Sequence, residues 1–223
     1  MQWWIHEAYY SGGMVLVTSW IFWVVFSITL HELGHGWAAL SQGDGTPRET
    51  GHMSWNPLVH MGPWSLAMFA LIGIAWGLMP TDPSRYRSGR KGRVVVALAG
   101  PLVNVLLALV TLTALGLWIR YGNGGTVFDE RLRVFLLTGG MLNILLAGFN
   151  MLPIPPLDGS QALMGLSVRC YVWFHHPAVR QYSFFAIIAL FFLFNVGTWM
   201  FIWAQRATGA YLGLLEMLLG TPS

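Results

Sequence analysis

Residues 14–40, MVLVTSWIFWVVFSITLHELGHGWAAL, form one long apolar stretch that carries a histidine, a glutamate and a second histidine towards its end. As a helix, at 1.5 Å per residue, this stretch reaches about 40 Å, enough to cross a hydrocarbon core of about 30 Å with tilt or projection. The rest of the chain agrees that lipid is the solvent. Of 223 residues 55% are hydrophobic and 9% charged, whereas a soluble domain carries about 25% charged residues. Twelve Trp and seven Tyr suit the headgroup level, where amphipathic rings are favoured. The fold class is therefore an all-α polytopic membrane protein.

Outward from this stretch, the chain divides by hydropathy. Residues 1–13 contain no Lys or Arg, and the run that follows is too long for a signal-peptide core, so it is expected to persist as the first span. Residues 43–62 are polar and rich in Gly and Pro, reading as a loop or short strands. Residues 64–79 are apolar but short, either a short span or a re-entrant segment. Residues 81–93 hold five of the twelve basic residues (Arg85, Arg87, Arg90, Lys91, Arg93), which places this loop in the cytoplasm, with a lipid-headgroup patch as a second reading. Spans are expected at 94–119, 134–152 and 184–204, a partial helix at 162–172, and an apolar end at 211–219 lying against the membrane. Together these make about five to six membrane segments, with possible re-entrant or β elements between them. Residues 1–223 read as a single membrane-embedded domain. The net charge of +3 is too small to suggest nucleic acid, and the single Cys170 excludes an intrachain disulfide and a thiolate zinc cluster.

The group HELGH, His31 to His35, is the sharpest chemical signal. On a helix, positions i and i+4 share a face, so both imidazoles can reach one metal ion. Glu32 lies beside them and can take a proton from water on an open metal position. A chance H-E-x-x-H is expected in well under about 1% of chains this long. Ionisable groups inside an apolar span are costly and functional by default, and a divalent cation is an economical partner for three of them. A catalytic zinc bound by two histidines needs one more protein ligand. Asp129 and Glu130, Asp44 and Glu49 lie in polar loops, and Glu7 and Glu216 near the ends. Asp158 alone ends a span in an apolar context, NMLPIPPLDGS, where Pro153, Pro155 and Pro156 break the helix. Taken alone, Asp158 could equally be a helix cap; beside an intramembrane HELGH it reads as the third ligand.

HELGH in the first span, AGPLVN (Ala99 to Asn104) in the next long one and NMLPIPPLDG (Asn150 to Gly159) together resemble the site-2 protease family of intramembrane zinc metalloproteases. WNPLVHMGP (Trp55 to Pro63) is similar to the linker of compact bacterial members. The resemblance implies one Zn²⁺ held by His31, His35 and Asp158, Glu32 as general base, and an active-site association for Asn150. It implies a transmembrane protein or peptide as substrate and a prokaryotic cell membrane as location. The chain resembles the bare catalytic core, without the PDZ or CBS domain of larger members. Asn104 reads as a helix-helix hydrogen bond or as support for the transition state, and His60 as an ordinary loop histidine, a group touching the site or a ligand of a second metal.

Placing 81–93 in the cytoplasm sends 94–119 outward and 134–152 back, so Asp158 lies near the cytoplasmic side. His31 sits about 14 Å from Leu40 along a helix, so equal depth requires Leu40 on that side too, and makes 64–79 re-entrant. An unwound substrate is expected to pair by strand addition with backbone in 43–62 or near 153–156. Two other readings are a metal transporter and a catalytically silent scaffold. A transporter calls for repeated halves or several sites along a path, and a silent scaffold for the loss of Glu32 or of a ligand.

Overall fold

The computed structural model describes residues 4–122 and 124–220, apart from the side chains of Phe184 and Phe192. In chain order its α-helices are α1 (Trp4–Ser41), α2 (Thr46–Glu49), α3 (Pro57–Ile72), α4 (Gly89–Tyr121), α5 (Val127–Asn150), α6 (Asp158–Leu166), α7 (Val168–His175), α8 (Pro177–Leu193) and α9 (Val196–Leu219). A short 3-10 turn, Pro83–Arg85, precedes α4, and no strand occurs among the described residues. The stretch 43–62 accordingly contains turns, α2 and the start of α3 in place of short strands.

Among the described residues, α1, α4 and α5 are long and apolar enough to cross a membrane. A fourth crossing results if 185–191 and 196–219, which meet at 65°, act as one broken span. The remaining apolar segments are shorter helices, so the larger number of membrane segments expected above counts pieces that do not cross by length alone. Within α1 the helix breaks at Gly12 and Gly13, the latter at φ +66, a conformation that costs little only without a Cβ. The apolar run starts immediately after this break.

The stretch 64–79 is half helix and half extended chain. Asn56 caps α3 by accepting from the Leu58 N–H, Gly62 at φ +65 and Pro63 break the helix early, and Gly73 ends it in the left-handed region. The chain then doubles back as an extended segment. The Ser65 hydroxyl donates to the Trp76 carbonyl at 2.6 Å and accepts from the Trp76 N–H at 2.8 Å. The Leu78 N–H donates to the His60 carbonyl at 2.9 Å. Residues 76–78 thus run beside 60–65, so the chain returns on itself within this stretch.

α4 is the central helix, in contact with α1, α5, α6 and α9. Small residues let these neighbours approach, as is usual where no hydrophobic force acts between helices. A Cβ at Gly34 would fall 2.8 Å from Val103 and 3.1 Å from the Ala99 carbonyl, and one at Gly140 would collide with Leu112.

The C-terminal end of α1 and the N-terminal end of α4 lie on one face, laced together by loop contacts. Arg87 N–H donates to the Gln42 carbonyl and Asp82 N–H to the Asp44 carboxylate, both at 2.7 Å. Arg85 Nη1 donates to both carboxylate oxygens of Glu49, at 2.8 and 2.9 Å. Hydrogen bonds from Ser84, first its hydroxyl and then its N–H, hold the exposed Asp82 carboxyl below its usual range.

Candidate metal centre

One helical turn of α1 supplies His31 and His35, and the first residue of α6 supplies Asp158. The two imidazole Nε2 atoms stand 3.0 Å apart. Asp158 Oδ2 lies 3.1 Å from His31 Nε2, and Asp158 Oδ1 3.3 Å from His35 Nε2. Ligand atoms about 2.0–2.1 Å from a tetrahedral zinc are separated by roughly 3.3 Å, close to these spacings. Asp158 does not cap α6: the cap position is Leu157, with no side-chain cap bond.

The donor set fits a cation. His35 Nδ1 bonds the Val96 carbonyl at 2.7 Å, and a carbonyl only accepts, so a neutral His35 presents a bare lone pair at Nε2. That lone pair faces the Nε2 of His31 and a carboxylate, in a pocket where both histidines are buried. Asp158 Oδ2 is buried with no hydrogen-bond donor. Electron pairs so gathered, away from water, are destabilising until a positive charge joins them. His31, His35 and Asp158 are the group of ligand-type side chains close enough to hold a metal ion among the described residues.

Neighbouring segments shape this centre. At Gly100 of α4 a Cβ would strike His35 Nε2 and lie 2.6 Å from His31 Nε2, so the glycine of AGPLVN makes room for the imidazoles. The proline-broken 153–156 stretch leads into Asp158, and Gly159 admits the close approach of the Met151 and Leu152 carbonyls. His31 Nδ1 is engaged by Asn104 Oδ1 at 2.6 Å.

The triad opens into a cleft of about 670 Å³ that also contains Glu32, Gly77, Tyr86, Arg93 and Asn150. Glu32 is 7% exposed. The extended segment passes directly over it: a Cβ at Gly77 would lie 2.6 Å from Glu32 Cγ. At the loop end of the cleft, Arg93 donates to the Gln161 side-chain carbonyl at 3.1 Å and stacks over the Tyr171 ring. Burial pushes the Tyr86 hydroxyl above its ordinary range, which keeps it neutral.

The remaining sequence candidates separate. Asn150 is in the cleft, and its amide NH₂ donates back to the Leu146 carbonyl at 3.0 Å. Asn104 is fully buried, bonded to His31 on one side and to Asn143 on the other. His60 is outside both the ligand group and the cleft lining. It is 2% exposed, and its Nε2 donates to the Ser54 carbonyl at 2.6 Å. Sequence reasoning missed Asn143, Ser65 and Gly77. Asn143 carries a signal that could have found it, a fully polar side chain inside an apolar helix; Gly77 and Ser65 carry none.

Residues 19–121 match peptidase family M50. The chain is 31% identical to YwhC of Bacillus subtilis, which is named as a candidate zinc metalloprotease, across 75% of this chain and 77% of that protein. It is 28% identical to Rip2 of Mycobacterium tuberculosis, named in the same way, across 86% of this chain and 72% of that protein. To the zinc metalloprotease MJ0392 of Methanocaldococcus jannaschii it is 26% identical, across 71% of this chain but 39% of that protein. No solved structure matches the chain.

Proposed function

The chain belongs to peptidase family M50, the site-2 protease family, and on that premise we propose that it is a zinc endopeptidase cutting peptide bonds within or beside transmembrane segments. His31, His35 and Asp158 hold one Zn²⁺, and Glu32 is the general base. The observation that carries this reading is the convergence of the three ligand atoms within 4.8 Å of one another, in a cleft that also holds the Glu32 carboxyl. When bound, zinc supplies Lewis acidity and brings the pKa of a coordinated water towards about 7.

The chain's own residues do the rest. In a helix, the scissile carbonyl of the substrate is shielded by its hydrogen bond, so the substrate must locally unwind. The extended segment offers it an edge. Trp76 and Leu78 turn their backbone groups towards α3, whereas no hydrogen bond engages the backbone of Ala75, Gly77 or Met79 among the described residues. Alternate residues of an extended chain present opposite edges, so the free groups line up for strand addition. We take this edge, in preference to 43–62 or 153–156, as the docking backbone. A substrate strand laid along Gly77 has its carbonyl beside Glu32. Glu32 then takes a proton from the attacking water and delivers it to the departing amine nitrogen as the C–N bond breaks. Asn150, which also lines the cleft, keeps its side-chain oxygen for the substrate's backbone N–H.

Residues 1–223 act as one domain in a prokaryotic cell membrane, with the cleft nearer the cytoplasm, where the basic loop lies. The re-entrant segment brings the substrate edge to the same side. A transport path calls for a second site, and the described residues hold one ligand group. A silent scaffold has no use for a carboxylate beside an intact triad.

Replacing Glu32 with Gln tests the proposal. Cleavage of a co-expressed transmembrane reporter is expected to fall by about 10²–10⁴-fold with zinc still bound. Undiminished cleavage by this variant refutes the mechanism.

A further inference from the structure

Behind the metal centre runs a chain of three buried hydrogen bonds. His31 Nδ1 meets Asn104 Oδ1 at 2.6 Å, Asn104 Nδ2 meets Asn143 Oδ1 at 2.9 Å, and Asn143 Nδ2 meets the Gly139 carbonyl at 2.9 Å. Both asparagines are 0% exposed. The far end decides the direction of every link. A backbone carbonyl can only accept, so Asn143 must turn its NH₂ towards Gly139 and its oxygen towards Asn104. Asn104 then donates its NH₂ to Asn143 and presents its oxygen to His31. Flipping either amide would set oxygen against oxygen or leave a buried donor unpaired. A neutral His31 therefore carries its proton on Nδ1 and a lone pair on Nε2, the atom that faces Asp158 and His35.

We propose that Asn104 and Asn143 are positioning residues that hold His31 in its metal-binding tautomer and ring orientation. The inference rests on the ligand triad proposed above. A simple helix-to-helix contact accounts for the bond between the two asparagines but not for the Asn104 oxygen aimed at His31. The other histidine has no such dependence, because His35 is oriented by the backbone carbonyl of Val96. Of the two imidazoles, His31 alone is oriented through side chains. The relay also joins three helices, α1, α4 and α5, so the packing of α5 reaches the metal site through its Asn143.

The test uses the purified full chain in lipid nanodiscs, with Zn²⁺ affinity read by competition against a chromogenic chelator and the site geometry by the visible spectrum of bound Co²⁺. Asn104→Leu is expected to weaken Zn²⁺ binding by about 10–100-fold and to shift the Co²⁺ bands. Asn143→Leu frees the Asn104 amide to flip and is expected to fall between Asn104→Leu and the wild type. Zn²⁺ affinity within twofold of wild type for Asn104→Leu, or an unshifted Co²⁺ spectrum in that variant, overturns the proposal. Should Asn104→Leu fail to fold, wild-type affinity and spectrum in Asn143→Leu overturn it instead. A wild-type chain that binds no Zn²⁺ sinks the ligand triad itself, and that failure is distinct from a loss confined to the asparagine variants.

Discussion

Gly77 has no side chain because Glu32 occupies its place: a Cβ on Gly77 would lie 2.6 Å from Glu32 Cγ and 2.8 Å from Cδ. The extended segment and the proposed base are thereby set edge to edge, with nothing larger than a hydrogen between them. The relationship joins two residues from different elements, and it supports the proposal that a substrate docks along the backbone of 75–79.

Gly77→Ala should therefore push Glu32 aside without touching the metal ligands. A displacement of about 1 Å at a reacting group costs on the order of 10²-fold in rate. Reporter cleavage is expected to fall by that order while zinc content stays at one per chain. Equal cleavage by the variant would remove Gly77 from the argument.

Gly100→Ala acts on the ligands instead. Its Cβ would meet both imidazole Nε2 atoms, so the histidines must rotate away from their present convergence. Zinc content of the purified variant, measured by atomic absorption, should drop well below one per chain, and reporter cleavage with it. Full zinc loading would show that the imidazoles have more freedom than their packing suggests.

Asp158→Ala removes the ligand that α6 contributes. Zinc content should fall clearly below the wild-type value in the same measurement, since two imidazoles alone leave the ion short of its usual three protein ligands. Retention of a full equivalent would break the three-ligand assignment.

Ser41 and Ser88 are both exposed, and they close the loops that tie α1 to α4. In a Cys170→Ser background, single cysteines at these two positions should react with a membrane-impermeant maleimide from the same side of the membrane, the cytoplasmic one. Labelling from opposite sides would overturn the topology and with it the placement of the cleft.

Much of the site was legible because its parts are local. HELGH needs only helical periodicity to put His31 and His35 on one face, and the cost of charge in an apolar span marks the group as functional. Asp158 could be singled out because the prolines around it break a helix at membrane depth. The stretch 64–79 was harder. Its composition is uniformly apolar, and an apolar run reads alike as helix or as extended chain. The turn at Gly73 and the Ser65 clasp on Trp76 decide the matter, and both depend on the chain returning on itself.

Sequence by itself pointed to lipid as the solvent and to the helical class through hydropathy, to His31, Glu32 and His35 through spacing along one helix, and to Asp158 through its proline-broken apolar context. Tertiary structure alone decided which backbone edge faces Glu32, that His60 stays outside the cleft, and that Asn104 holds His31 with Asn143 behind it. The physical reason is that hydropathy and helical period act through neighbours in sequence. A hydrogen bond between buried amides on α4 and α5 exists only once the two helices are packed in register. Nothing in the order of residues along either helix specifies that register.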